Sequence, residues 1–319
     1  MLATLILFAV GAVLALLAAL WLFGERWRFL RPSTWRSMRE GGIGFNALHG
    51  YVYGRWTNQY VHALIHHISP RLKPSGGKWL ADHYHGKVLT HEQAEAIIAN
   101  QKDIPRRDLE QIIPYPLARD LVLQGPPDVA AYECACRHAR ATHCQPTQVC
   151  MVVGQPGVDF ILEHNPRSSR RLTQAEALDL LRAEQERGHL HSAWFKDAMQ
   201  NRFYAICNCC KCCCGGVEAM TRYGIPMMAS SGYVAALDRE LCNLCGACVD
   251  ACPFDAISMN DSTVERNWEV CMGCGVCVEK CPTQAMSLVR DEKKGIPLDV
   301  RLLAEGGKQT QPGLGGKAN

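Results

Sequence analysis

The sequence predicts an α+β protein: an N-terminal transmembrane helix, a mostly helical cysteine-rich domain and a C-terminal module with a pseudo-twofold internal repeat. Three observations carry this. Residues 2–23 contain no charged side chain. Helix-opening signals stand at Thr90 and Thr173 around a cysteine-rich stretch. Residues 242–281 contain one cysteine pattern twice, 29 residues apart.

Residues 2–23, LATLILFAVGAVLALLAALWLF, are the first element. Twenty-two helical residues reach about 33 Å, against about 30 Å for a bilayer core. The run is longer than a signal-peptide core and lacks a positive segment before it. Arginines follow at 26, 28, 31, 36 and 39. The positive-inside rule then puts the N terminus outside and the body in the cytoplasm, as a single-pass protein of the inner membrane. Trp21, Phe23, Trp27 and Phe29 sit where an aromatic belt is expected. The anchor is taken as 1–24.

Residues 25–78 form a basic, aromatic juxtamembrane segment. Residues 24–74 carry eight Lys/Arg against Glu25 and Glu40, whereas the whole chain is only +3. The body has no basic stripe, so nucleic acid is excluded as a partner. His62 and His66 share a helix face, and Gly50 and Gly54 make a G-x3-G of weak meaning outside an apolar span. SPRLKPSGGK, 69–78, reads as a linker.

The cysteine-rich domain is placed at 79–230. Thr90 with Gln93, and Thr173 with Glu176, are capping pairs, and Gly188 closes the second helix. His83, His85 and His91 read as surface residues. Between the helices lie Cys134, Cys136, Cys144 and Cys150, interleaved with Arg137, His138, Arg140 and His143. Positive neighbours favour the ligating thiolate. CNCCKCCCGG follows at 207–216, with Cys207, Cys209, Cys210, Cys212, Cys213 and Cys214. Adjacent side chains diverge in regular structure, so an irregular loop is expected. His189 and His191 precede it and read as ordinary loop histidines.

Eighteen cysteines at ligand spacings point to metal thiolates in a reducing compartment. Cys242, Cys245, Cys248 and Cys252 precede Pro253, and Cys271, Cys274, Cys277 and Cys281 precede Pro282. Each run reads C-x2-C-x2-C-x3-C-P, the spacing of bacterial two-cluster [4Fe–4S] proteins. Zinc knuckles need only two C-x2-C pairs, without the third step or the proline.

On these residues the stretch at about 233–290 resembles bacterial-type dicluster ferredoxins. The resemblance implies crossed ligation. Cys242, Cys245, Cys248 and Cys281 would hold one cluster, and Cys271, Cys274, Cys277 and Cys252 the other. Over roughly 125–290 the chain is also similar to a group of membrane-anchored, ferredoxin-like 4Fe-4S-binding proteins of bacteria. The elements that carry this are Cys134, Cys136, Arg137, Cys144, Cys150, Gly188, His191 and residues 207–216. It implies electron transfer and no defined substrate. The ferredoxin module is placed at 231–290, and 291–319 reads as a short helix near 298–304 and a polar tail.

Ten cysteines remain upstream of the module. They are expected to hold one or two further clusters, with ligands mixed from 134–150 and 207–214. The chain has no dinucleotide fingerprint and no phosphate-binding loop. Electrons must come from partner proteins. The expected function is single-electron transfer at the cytoplasmic membrane face. Two alternatives stand beside it: an oxidoreductase whose upstream cluster binds a substrate, and a zinc-binding or redox-sensing protein.

Overall fold

The computed structural model describes residues 2–23, 31–41, 44–107 and 109–304, and within the first helix the side chains of 4–16, 18 and 19. Thirteen strands occur in chain order: β1 (Tyr84–Leu89), β2 (Ile104–Arg106), β3 (Leu121–Leu123), β4 (Val129–Glu133), β5 (Gln148–Val153), β6 (Ser169–Leu172), β7 (Leu190–Lys196), β8 (Arg202–Cys209), β9 (Met228–Ala229), β10 (Tyr233–Leu237), β11 (Ile257–Met259), β12 (Val264–Arg266) and β13 (Met286–Arg290).

The upstream domain is built on a sheet, which corrects the mostly helical expectation. Seven strands run in the order β6-β4-β5-β8-β7-β1-β9. All neighbours are antiparallel except β1 and β9. Strand β7, LHSAWFK, is buried at every position. Its apolar run does not alternate, so neither helix nor strand periodicity marks it. The two capped helices do form, as His91–Ala99 and Gln174–Glu186, each with a complete capping box. They pack on each other and on the sheet.

The N-terminal helix Leu2–Phe23 forms, with Leu5, Leu7, Phe8 and Leu14 exposed. Among the described residues, however, no helix is long and apolar enough to cross a membrane. The transmembrane reading is corrected on that finding, and the orientation and membrane location built on it fall with it. The side chains of the expected aromatic belt, together with Arg26 and Arg28, lie outside the described residues, as does the tail from 305.

The segment after it packs on the body. Helices Phe45–Arg55 and Thr57–Ala63 bury Tyr51, Tyr53, Thr57 and Val61. Gly50 and Gly54 permit this approach. A Cβ on Gly50 would sit 2.3 Å from the Ala198 carbonyl oxygen, and one on Gly54 2.7 Å from the Phe160 ring. The module follows the sheet domain, and a single core runs through both. After β13 the chain returns to the sheet domain. Leu298 and Val300 are buried there, Lys87 Nζ donates to the Ile296 carbonyl at 2.8 Å, and Arg106 donates to the Leu303 carbonyl at 3.0 Å.

Candidate metal centres

The duplication in the module is visible in its backbone. Leu244 and Gly273, Gly246 and Gly275, and Asp255 and Gln284 all have positive φ, and each pair is separated by the 29-residue repeat. Gly246 and Gly275 open the short helices Ala247–Ala251 and Val276–Glu279. These left-handed positions turn the C-x2-C-x2-C loops back on themselves. Strand β10 pairs with β13, and β11 with β12.

Seven of the module's eight cysteines fall into two groups. Cys252, Cys271, Cys274 and Cys277 line one small pocket. Cys248 has Cys281 and Cys242 as its neighbouring thiols. Each gathering therefore takes a thiol from both halves of the repeat. Burial pushes the Cys274 thiol up to about 12. A thiolate there needs a positive centre beside it to offset desolvation. The Ala256 N–H donates to Cys252 Sγ at 3.3 Å, the kind of backbone contact that tunes a cluster.

The ten upstream cysteines also separate into two sets. Cys144, Cys210, Cys212 and Cys213 have their four Sγ atoms within 4.8 Å of one another, the one group this close among the described residues. Cys144 Sγ lies 3.0 Å from Cys212 Sγ, and Cys212 Sγ 3.3 Å from Cys213 Sγ. A tetrahedral ion with metal–sulfur bonds near 2.3 Å has thiolate edges of roughly 3.8 Å. Four thiols this tight fit one zinc or iron ion. Arg140 braces the turn, donating from Nε to the Cys213 carbonyl at 3.2 Å and pairing with Glu218 at 2.5 Å.

The other six are Cys134, Cys136, Cys150, Cys207, Cys209 and Cys214, and all line one cavity of ≈ 120 Å³, whose wall Cys210 and Cys213 of the tight group also reach. The expected loop at 207–216 is regular at both ends: β8 continues through Cys209, and helix Gly215–Tyr223 begins after Cys214. Cys207 and Cys209 thus share a face of one strand, while Asn208 between them turns away to Val149 and His191. Strands β5 and β8 pair at Met151 and Ile206, so the next position brings Cys150 opposite Cys207.

Tyr53, Tyr84 and Tyr204 line the same cavity. Their hydroxyls lie 2.7–3.4 Å apart. Burial holds all three above the ordinary phenol range, so they stay protonated. Lys196 Nζ sits 4.6–5.3 Å from the ring centres of Tyr84, Tyr53 and Tyr60.

Several histidines are held by hydrogen bonds within the fold. His66 bonds the Ala139 carbonyl at 2.8 Å. His189 bonds Glu184 at 2.7 Å, and His191 bonds Asn208 at 2.6 Å and His91 at 3.1 Å. His85 is fully buried between the Ala81 and Ala118 carbonyls, contrary to its surface reading. Sequence reasoning missed the tyrosines. They come from three distant segments, and only the fold brings them together.

Residues 235–282 match the family model of a 4Fe-4S dicluster domain. This stretch is a ferredoxin-type iron–sulfur domain. Over 29 residues the chain is 52% identical to a probable ferredoxin of Thermoplasma acidophilum. That alignment covers 9% of this chain and 41% of the relative, so the chain spans less than half of that relative's length.

Proposed function

We propose that this protein is an iron–sulfur electron carrier in which a dicluster module exchanges single electrons with metal centres of the sheet domain. In the module, Cys242, Cys245, Cys248 and Cys281 hold one [4Fe–4S] cluster, and Cys271, Cys274, Cys277 and Cys252 the other. The protein's part is to fix the spacing of the centres, keep water away and set potentials through N–H···S contacts and burial. One observation carries the link to the upstream centres. Lys211, between Cys210 and Cys212, pairs with Asp255 at 2.7 Å and reaches toward the Asp250 carbonyl at 3.4 Å. Asp250 and Asp255 flank Cys252, so the upstream cysteine loop rests against a ligand loop of the module.

The test is anaerobic redox titration of the full chain followed by EPR. The expected result is reduced [4Fe–4S] signals from the module that broaden as an upstream centre becomes paramagnetic. A module that takes up electrons while no upstream centre ever titrates would overturn the proposed path.

A second reading, a substrate-reducing oxidoreductase, is supported by the protonated tyrosine hydroxyls on the wall of the cysteine-lined cavity. Hydroxyl donors beside a redox centre could deliver protons with electrons. A change in one upstream EPR signal on adding small-molecule ligands would support it, and no response from any centre would remove it.

A further inference from the structure

Eight cysteines line the cavity; Cys210 and Cys213 belong to the tight four-thiol group, and the other six form a closed ring. Cys134 Sγ neighbours those of Cys136 and Cys150. Cys150 neighbours Cys207, Cys207 neighbours Cys209, and Cys209 neighbours Cys214. Cys214 closes the ring on Cys136. Each thiol has two neighbours. No three of the six are mutually within 4.8 Å, unlike the tight four-thiol group. The ring consists of two arcs of three, Cys136-Cys134-Cys150 from around β4 and β5, and Cys207-Cys209-Cys214 from β8 and the turn after it.

An open ring is too wide for six bonds of about 2.3 Å to one ion. A single [4Fe–4S] cube takes four thiolates and two separate cubes take eight. Six matches neither. It does match two iron–sulfur halves, each capped by three thiolates and joined through a shared inorganic bridge.

Two further features point to an anionic occupant. Arg137 is fully buried, and its Nε is one of three buried side-chain polar atoms without a hydrogen-bond partner among the described residues. Its other nitrogens are taken by Glu184 at 2.9 Å, His189, and the Pro146 and Asn208 carbonyls. It lines this cavity, where a cluster sulfide or thiolate would accept the remaining N–H. The nine-residue helix Gly215–Tyr223 starts at the ring. The first turn of this helix lies against the ring: a Cβ on Gly215 would sit 3.6 Å from Cys136 Sγ. The amides of a helix N-terminus favour negative charge.

We propose that Cys134, Cys136, Cys150, Cys207, Cys209 and Cys214 are one ligand set, holding a single polynuclear iron–sulfur cluster larger than a [4Fe–4S] cube. It rests on the reading of the chain as an iron–sulfur protein.

The test is iron, sulfide and zinc analysis with native mass spectrometry on the anaerobic full chain. The variant Cys144→Ser/Cys212→Ser removes the tight four-thiol site and leaves the ring intact. Its expected content is roughly sixteen irons, eight in the module and eight in the ring, carried as one mass increment beyond the module. Roughly twelve irons would mean a single cube with two spectator thiols, and roughly eight an empty ring. Either result overturns the proposal. Adding Cys134→Ser/Cys207→Ser, one thiol from each arc, should remove the ring's iron in one step while the module's EPR signals persist. Loss of about four irons in that step overturns it. A module that fails to accept electrons would instead count against the electron-carrier reading and leave the ring's iron count standing.

Discussion

Lys196 shows how strongly this interior acts on one side chain. It is 2% exposed, and burial, opposed by Asp197, lowers its pKa from 10.5 to about 8. The unfolded chain therefore binds more protons than the folded one between about pH 8 and 10.5. Stability from this group rises with pH across that window and is lowest below it, by about 3 kcal/mol at most. Lys196→Met removes this dependence. In chemical denaturation, the wild type should gain on the variant as pH rises from 7 to 9.5. A constant difference would mean that the ammonium is not desolvated. A pair of the opposite kind lies beside the ring. Burial alone would raise the Glu184 pKa, but His189 and Arg137 outweigh it and hold the carboxylate ionised. Glu184→Gln leaves the buried guanidinium short of its counter-charge and should cost about 3–5 kcal/mol, read as a lowered denaturation midpoint. None of this was legible from residues alone. Arg137 was readable only as a positive neighbour of cysteines, because Glu184 is 47 positions away.

Among the elements, legibility followed locality. The capping pairs Thr90–Gln93 and Thr173–Glu176 are three residues apart, and both helices start where they indicate. The module's loops were readable because spacing, glycine and proline all lie within one short run. The sheet was not. Strands such as QVCMVV and FYAICNC mix cysteine into buried apolar runs, and cysteine was read as ligand and loop when it is also strand core. Knowing that CNCC lies at a strand end explains what the sequence left open. Alternation assigns Cys207 and Cys209 to one face, and the following turn gathers Cys210, Cys212 and Cys213 with Cys144. Gly273 tests the module at this scale. Its φ is +63°, and a Cβ there would lie 2.1 Å from the Tyr233 carbonyl oxygen and 2.5 Å from Ser231 Oγ. Neither neighbour can yield easily, since Ser231 Oγ already donates to the Gly273 carbonyl at 2.7 Å. Gly273→Ala should displace the Cys271–Cys277 loop and lose about four irons, one cluster's worth, by iron analysis. Gly295→Ala is the control. Its φ is also positive, but it has open space and no cysteine beside it, so iron should stay at the wild-type level.

For the whole molecule, the proposed electron path depends on how the module is held against the upstream cysteine loop. The C-terminal return through Ile296, Val300 and Leu303 ties the module to the sheet domain from one side. Lys280 contributes from another, its Nζ donating to the Glu186 carbonyl at the end of the second capped helix. These contacts fix the module's place, so Lys211 need not supply binding energy. Its ion pair with Asp255 is largely exposed, 41% and 69%, and is worth less than about 1 kcal/mol. What it sets is the local approach of the Cys210–Cys213 turn to the Cys252 loop. Lys211→Glu puts a negative charge against Asp255 and should push these loops apart. Global stability and iron content should stay near wild type. Electron equilibration between module and upstream centres, followed by rapid-freeze EPR after partial reduction, should slow several-fold, because transfer falls steeply with distance. The double variant Lys211→Glu/Asp255→Lys restores the attraction with the charges exchanged and should recover the rate. An unchanged rate in the single variant would place the path elsewhere. Slowing that the exchange fails to rescue would assign the effect to the lysine charge rather than to the distance it holds.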